Sequence, residues 1–217
     1  MPLLEEGLVQ VGIDSIALDG NLLVPSGATG IILFAHGSGS SRFSSRNRYV
    51  ASTLREGNLG TLLIDLLTPQ EETRDNVTGE LRFDIGMLAD RLIGTVEWLR
   101  AQPELREKKI GLFGASTGGG AALVAAAAKP KLIQAVVSRG GRPDLAGAAL
   151  PRVEAPTLLI VGGDDVPVIA MNRQAYDQLR CERRLEIVPG ATHLFEEPGT
   201  LESVADLARE WFTHYLR

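Results

Sequence analysis

Ser116 stands in Gly114-Ala115-Ser116-Thr117-Gly118, between the apolar run Ile110-Gly111-Leu112-Phe113 and the alanine-rich stretch Ala121 to Ala128. A G-x-S-x-G spacing at the point where a strand turns into a helix suits a nucleophile. The sharp turn strains the serine backbone and lifts its hydroxyl clear of the sheet, and it leaves room only for small residues two positions to either side. The helix that follows adds its positive end, and the N–H of Thr117 can donate to an oxyanion.

A serine hydroxyl is a poor nucleophile near neutral pH. It needs a base within hydrogen-bond reach, and that base needs an anion to fix its tautomer and stabilise its cation. Of the three histidines, His36, His193 and His214, the second is the candidate base: it follows Pro189-Gly190-Ala191-Thr192 in a loop between an apolar run and a terminal helical pattern. His214, in the last turn of that helix, suits the helix dipole. Gly162-Gly163-Asp164-Asp165 offers two carboxylates after one apolar run, one to orient the histidine and the other to cap a turn or the next helix. His36-Gly37-Ser38-Gly39 follows another such run. Its glycines let backbone N–H groups face a substrate, so the Ser38 N–H with that of Thr117 forms a candidate oxyanion hole. His36 and Gly37 fall at the substrate side of that loop, His36 in a position that suits shaping it by hydrogen bonds.

The elements that must position these groups are readable from periodicity. Continuous apolar runs at Ile31 to Ala35, Leu59 to Ile64, Lys109 to Phe113, Leu132 to Ser138, Thr157 to Val161 and Arg184 to Val188 suit strands buried on both faces. Phe83 to Arg100 places Phe83, Met87, Leu88, Leu92, Val96 and Leu99 on one helical face, and Thr200 to Leu216 repeats the pattern with Thr200 as its N-cap. Such alternation predicts an α/β fold, a mostly parallel sheet with helices on both faces. Leu8 to Asp19 alternates instead, turns at Asp19-Gly20-Asn21 and resumes at Leu22-Leu23-Val24, which predicts an N-terminal antiparallel hairpin. Leu66 to Glu80 reads as a long irregular loop on the active-site side. In open α/β sheets ligands bind outside the carboxyl ends of the strands, where all four chemical segments fall.

Composition narrows the function classes. The 217 residues, 44% hydrophobic and 23% charged, fit one domain spanning 1–217. No apolar run approaches the roughly 20 residues needed to span a bilayer. Met1-Pro2-Leu3-Leu4-Glu5-Glu6 lacks the marks of a signal peptide, so a cytoplasmic protein is expected. A net charge of −5 argues against nucleic-acid binding. The single cysteine, Cys181, allows no internal disulfide, and no histidine pair has metal-ligand spacing, so no metal or cofactor is expected.

The segments His36-Gly37-Ser38-Gly39-Ser40, Gly114 to Gly118, Gly162 to Asp165 and Gly190-Ala191-Thr192-His193 together resemble a small α/β-hydrolase of the dienelactone-hydrolase-like branch over essentially the whole chain. The order nucleophile, acid, histidine is that of the α/β-hydrolases. The resemblance implies Asp165 as the acid, because in the family's pattern the acid is the second residue after the paired glycines. The dienelactone hydrolases proper carry cysteine at the elbow where this chain has Ser116, so their lactone specificity is not implied, and a serine there resembles the carboxylesterases of the superfamily.

The expected function is hydrolysis of small or short-acyl esters through Ser116, His193 and Asp165. Lactone, thioester and amide hydrolysis use the same groups, and a non-catalytic interaction module would be expected to lack one of them. The stretch from Ser138 to Pro156 is too short for a cap domain, which predicts an open site for a small-molecule ester. The oligomeric state is left open between monomer and homodimer. Arg139 and Arg142, with Arg42 and Arg46, follow strand ends on the site's side. They can hold an anionic substrate or form salt bridges with Glu71, Glu72, Asp75 or Asp144, and the second reading is the simpler.

Overall fold

The computed structural model describes residues 7–217; residues 1–6, on which the reading of the N-terminus rests, lie outside the described part. The strands are β1 (Gly7–Ile13), β2 (Ile16–Leu23), β3 (Gly30–Ala35), β4 (Gly60–Ile64), β5 (Lys109–Ala115), β6 (Ala135–Arg139), β7 (Thr157–Gly162) and β8 (Arg183–Val188). The helices are α1 (Ser45–Glu56), α2 (Pro69–Thr78), α3 (Ile85–Ala101), α4 (Thr117–Ala128), α5 (Val166–Gln178) and α6 (Thr200–Tyr215). All eight strands join one sheet in the order β1-β2-β4-β3-β5-β6-β7-β8. β1 and β2 are antiparallel, β2 is antiparallel to β4, and every other neighbouring pair is parallel.

Strands β3 to β7 bury both faces, as their unbroken apolar runs require. Alternate side chains divide between two cores. Ile31, Leu33, Leu112, Val136 and Leu159 pack under α3, α4 and α5, while Ile32, Phe34, Phe113, Val137 and Ile160 pack under α1 and α6. Phe34 and Phe113 are register partners with ring centroids 4.9 Å apart, and each buried large side chain of this kind contributes roughly 1.5–3 kcal/mol. Among the described residues no helix is long and apolar enough to cross a membrane.

Several local expectations are corrected. The hairpin turns at Asp14-Ser15, with Ile13 paired to Ile16, and Asp19-Gly20-Asn21 lies inside β2. Asp14 takes φ +50°, which aspartate tolerates better than most residues. Gly20 is small for packing: a Cβ there would sit 2.9 Å from Leu62 Cδ1. The supposedly irregular loop contains α2, a helix with no apolar stripe to betray it. Its ends are fixed chemically by Thr68 and Glu71 in a reciprocal capping box, Pro69 at the first turn and Gly79 in the left-handed conformation at the C-cap. Glu71 pairs with Arg91 of α3 at 2.7 Å, and the buried Asp75 accepts from the Leu81 and Arg82 N–H groups and from Arg82 Nε at 2.6 Å. Finally, α6 is capped by Gly199, not Thr200; Thr200 is the first helical residue, and its hydroxyl donates to the Glu197 carbonyl.

No cap domain intervenes between β6 and β7. Pro143–Arg152 forms short 3-10 turns, interrupted at Gly147, and packs against α4 and α5. The predicted helix start at Phe83 falls instead in a 3-10 turn, Leu81–Phe83, and Asp84 caps α3 by accepting from the Met87 N–H.

Candidate active site

The turn from β5 into α4 is as tight as its glycines suggest. Ser116 adopts φ 51° and ψ −122°, a conformation costing roughly 1–3 kcal/mol that persists only where the surroundings impose it. Its N–H donates to the Arg139 carbonyl at 3.3 Å, and its own carbonyl accepts from the Gly119 N–H at 3.0 Å. A Cβ on Gly114 would sit 2.4 Å from the Gly118 carbonyl oxygen, and one on Gly118 would sit 2.3 Å from the Ala35 oxygen. Both positions are closed to any side chain. Thr117 opens α4, so its N–H has no acceptor within the helix.

After β8, the loop carrying His193 packs back toward the end of β7. His193 Nδ1 donates to Asp165 Oδ2 at 2.6 Å, and the Asp165 side chain is 13% exposed. Asp164 is exposed, and its backbone N–H bonds the Ala191 carbonyl. Of the two aspartates, the structure therefore brings Asp165 to the histidine. With Nδ1 the donor, Nε2 is the unprotonated, basic nitrogen. Glu197 braces the same loop: its carboxylate accepts from the Thr192 N–H at 3.0 Å and the Thr192 hydroxyl at 2.6 Å, bonds that lower its pKa. Sequence reasoning missed this clamp, whose only signal is a threonine five residues before a glutamate.

The β3–α1 loop arrives beside the elbow because β3 and β5 are paired with Ala35 opposite Gly114. His36 uses both ring nitrogens: Nδ1 donates to the Gly37 carbonyl at 2.9 Å, and Nε2 accepts from the Leu66 N–H at 3.1 Å. Burial lowers its pKa against the raising effects of the Gly37 bond and the nearby Asp65 and Glu72, so the ring is a neutral brace for the loop. It is not free to hold a substrate. Gly37 does line the cavity at the elbow. The Ser38 N–H, expected as an open donor, bonds the Thr117 hydroxyl oxygen at 3.0 Å. This bond links the two loops from which the oxyanion donors were expected.

The four arginines separate. Arg142 forks onto Asp144 at 2.9 and 2.7 Å, which raises its pKa and holds it off the cavity. Arg42 is held by Asp65, with Asn21 Oδ1 accepting from its Nε at 3.0 Å. Arg139 and Arg46 instead line a cavity of about 320 Å³ together with Ser116, Ser38 and His193. Arg139 is only 6% exposed and bonds Asn47 Oδ1 at 3.0 Å. Cys181 lies elsewhere, half-buried, its thiol pushed up by burial.

Comparison with known proteins places the fold. A crystal structure of a dienelactone hydrolase from Anabaena variabilis is 64% identical, covers 98% of this chain and 99% of its own, and superimposes with a TM-score of 0.97. An α/β serine hydrolase without lid from Xanthomonas campestris shares 20% identity and the fold, with a TM-score of 0.77 over 97% of this chain and 95% of its own. Two relatives from strains of Mycobacterium tuberculosis, both named "Putative phosphoribosyl transferase", are 55% identical over 216 residues, 99% of this chain and 48% of theirs. The chain thus spans about half the length of the curated relatives it matches. The model of the dienelactone hydrolase family matches residues 28–215, from the start of the parallel sheet to the end of α6. The fold and this match agree: the chain belongs to the dienelactone hydrolase family, and it is a hydrolase-fold protein without a large cap.

Proposed function

We propose that the protein is a serine hydrolase, a carboxylesterase that cleaves small or short-acyl esters through Ser116, His193 and Asp165. The observation that carries this reading is the 2.6 Å bond from His193 Nδ1 to Asp165. It makes Nε2 the proton acceptor of a ring that lines the same cavity as the strained Ser116. In the first half-reaction Nε2 takes the Ser116 proton as Oγ attacks the ester carbonyl. The carbonyl oxygen gathers negative charge, and the N–H groups of Thr117 and Ser38 receive it, the alkoxide displacing the weaker acceptor Thr117 Oγ1 from Ser38. His193 then returns its proton to the leaving alcohol, and the acyl group stays on Ser116. In the second half-reaction water gives its proton to His193 and attacks the acyl-enzyme, releasing the acid and restoring the serine.

No step calls for a cofactor. The transferase activity named for the longer mycobacterial relatives belongs to proteins of about twice this length and is not carried over. The test is whole-protein mass spectrometry after exposure to a neutral organophosphonate. A single adduct on the natural protein that disappears in Ser116→Ala is expected. Labelling that persists in the variant, or none where a known esterase reacts, overturns the assignment.

A further inference from the structure

Strand β8 closes one end of the sheet: among the described residues it pairs with β7 on one side and with no strand on the other. The parallel ladder fixes which backbone groups its free side presents. The Thr157 N–H donates to the Glu182 carbonyl at 2.9 Å, and the Gly163 N–H donates to the Val188 carbonyl at 2.8 Å. Backbone direction alternates along a strand, so Glu182, Arg184, Glu186 and Val188 face β7, while the N–H and C=O groups of Arg183, Leu185 and Ile187 point outward. Strands β3, β4, β6 and β7 are buried at every residue, whereas in β8 only Val188 is. Such an edge is a template for another strand unless proline, lysine, a bulge or a covering segment blunts it. Arg183 to Val188 contains neither proline nor lysine, and its pairing with β7 runs unbroken from Thr157–Arg183 to Gly162–Val188, without a bulge.

The charges on this edge select a partner. Arg183 lies over the Tyr176 ring of α5, 4.7 Å from its centroid. Arg184 and Glu186 share the opposite face with Val188, pair with each other along the strand, and have side chains 45% and 31% exposed. When β8 pairs antiparallel with a second β8, outward groups must meet outward groups, so a twofold axis passes through a residue. Centred on Arg184 or on Glu186, the axis sets like charges directly opposite, which is destabilising. Centred on Leu185, it sets each Arg184 opposite the partner's Glu186 and each Arg183 opposite the partner's Ile187. The two Leu185 residues then exchange both ladder bonds. Arg184 and Glu186 fall on the rungs without ladder bonds, where facing Cα atoms come to about 4.5 Å and side chains are closest. Four charges of alternating sign close a ring on one face of the joined sheet.

We propose that β8 is an interface for a second copy of this chain: two copies join antiparallel through Arg183 to Val188 about a twofold axis at Leu185, and their eight-stranded sheets become continuous. The inference stands apart from the assignment of Ser116 as nucleophile. Because the two β8 strands run in opposite directions, the carboxyl ends of the two sheets, with their cavities, open at opposite ends of the assembly.

The test is sedimentation equilibrium of the natural protein, Arg184→Glu and Glu186→Arg over about 1 to 200 µM, a range that spans micromolar association. The mass of the natural protein should rise from 23.3 kDa toward twice that value. Each variant sets like charges opposite at both symmetry-related contacts and should raise the dimer dissociation constant roughly 10-fold or more. Mixed in equal amounts, the two variants should form a heterodimer about as tight as the natural dimer, since one supplies two carboxylates and the other two guanidinium groups. Each variant keeps like charges within its own strand, so recovery on mixing reports the contact between chains. A natural protein that stays monomeric, a dimer indifferent to both substitutions, or variants that do not recover on mixing overturns the interface. Should either variant fail to fold, hydrogen exchange in the natural protein decides the matter. The amides of Arg183, Leu185 and Ile187 should exchange more slowly at the high concentration than at the low one, and rates independent of concentration overturn the interface.

Discussion

Replacing Asp165 by asparagine preserves the size of the side chain and removes the charge that fixes His193. The bond is 2.6 Å long and the carboxylate is 13% exposed, while the imidazole side chain, 39% exposed, is partly screened by solvent. An asparagine can turn its NH₂ toward Nδ1, which moves the ring proton to Nε2 and leaves Ser116 without a base. Losing both the tautomer and the counter-charge of the imidazolium should lower kcat roughly 1,000- to 10,000-fold, about 4 to 5.5 kcal/mol of transition-state stabilisation. Asp164→Asn should change kcat by no more than about twofold, within the range of surface substitutions. Its side chain is exposed, and its link to the histidine loop is a backbone bond that the substitution leaves in place. Stopped-flow acylation with p-nitrophenyl acetate, with the melting temperature as a check on folding, separates the two. Equal losses in the two variants, or more than a third of the activity left in folded Asp165→Asn, would refute the reasoning.

Gly118→Ala should lose about 1–3 kcal/mol or more in urea unfolding, because its Cβ meets the Ala35 and His36 carbonyl oxygens at 2.3 and 2.7 Å and both are backbone atoms. Gly12→Ala, with nothing within 4 Å, should stay within about 0.5 kcal/mol, and equal effects would show that the elbow is not sterically closed. His36 predicts an acid-sensitive fold. Its native pKa lies below the ordinary 6.5, so the unfolded chain binds the proton more readily; its contribution is complete above pH 6.5 and is lost as the pH falls through the native pKa. Urea melts at about pH 7.5 and 5.5 should show lower stability at the acid end. The difference should shrink in His36→Gln, and an unchanged difference would assign it to other groups.

The parallel core was legible because strands buried on both faces leave long apolar runs, and their carboxyl ends collected the reactive groups in order. What the sequence hid depended on particular side-chain contacts. Asp19-Gly20-Asn21 has turn composition, but Gly20 is there to admit Leu62, and the true turn rests on Asp14 accepting a positive φ. Helix α2 escaped notice because capping and ion pairs, not a buried stripe, hold it. At the site, neighbouring aspartates are equivalent in sequence and become distinct only when one reaches His193. The arginines were alike as letters until Asp144 and Asp65 claimed two of them and burial isolated Arg139.

The pairing of Ala35 with Gly114 has a further consequence. The two backbone donors proposed for the oxyanion, those of Ser38 and Thr117, each lie three residues beyond that rung on adjacent strands, and Thr117 Oγ1 ties one loop to the other. The strand ends from which the two loops start are one interstrand spacing apart, about 4.8 Å, a dimension common to all β-sheets. Insertions and substitutions in the rim can reshape what enters the cavity without recalibrating the spacing at its floor. A scaffold of this kind can acquire new substrates while its reaction geometry remains inherited.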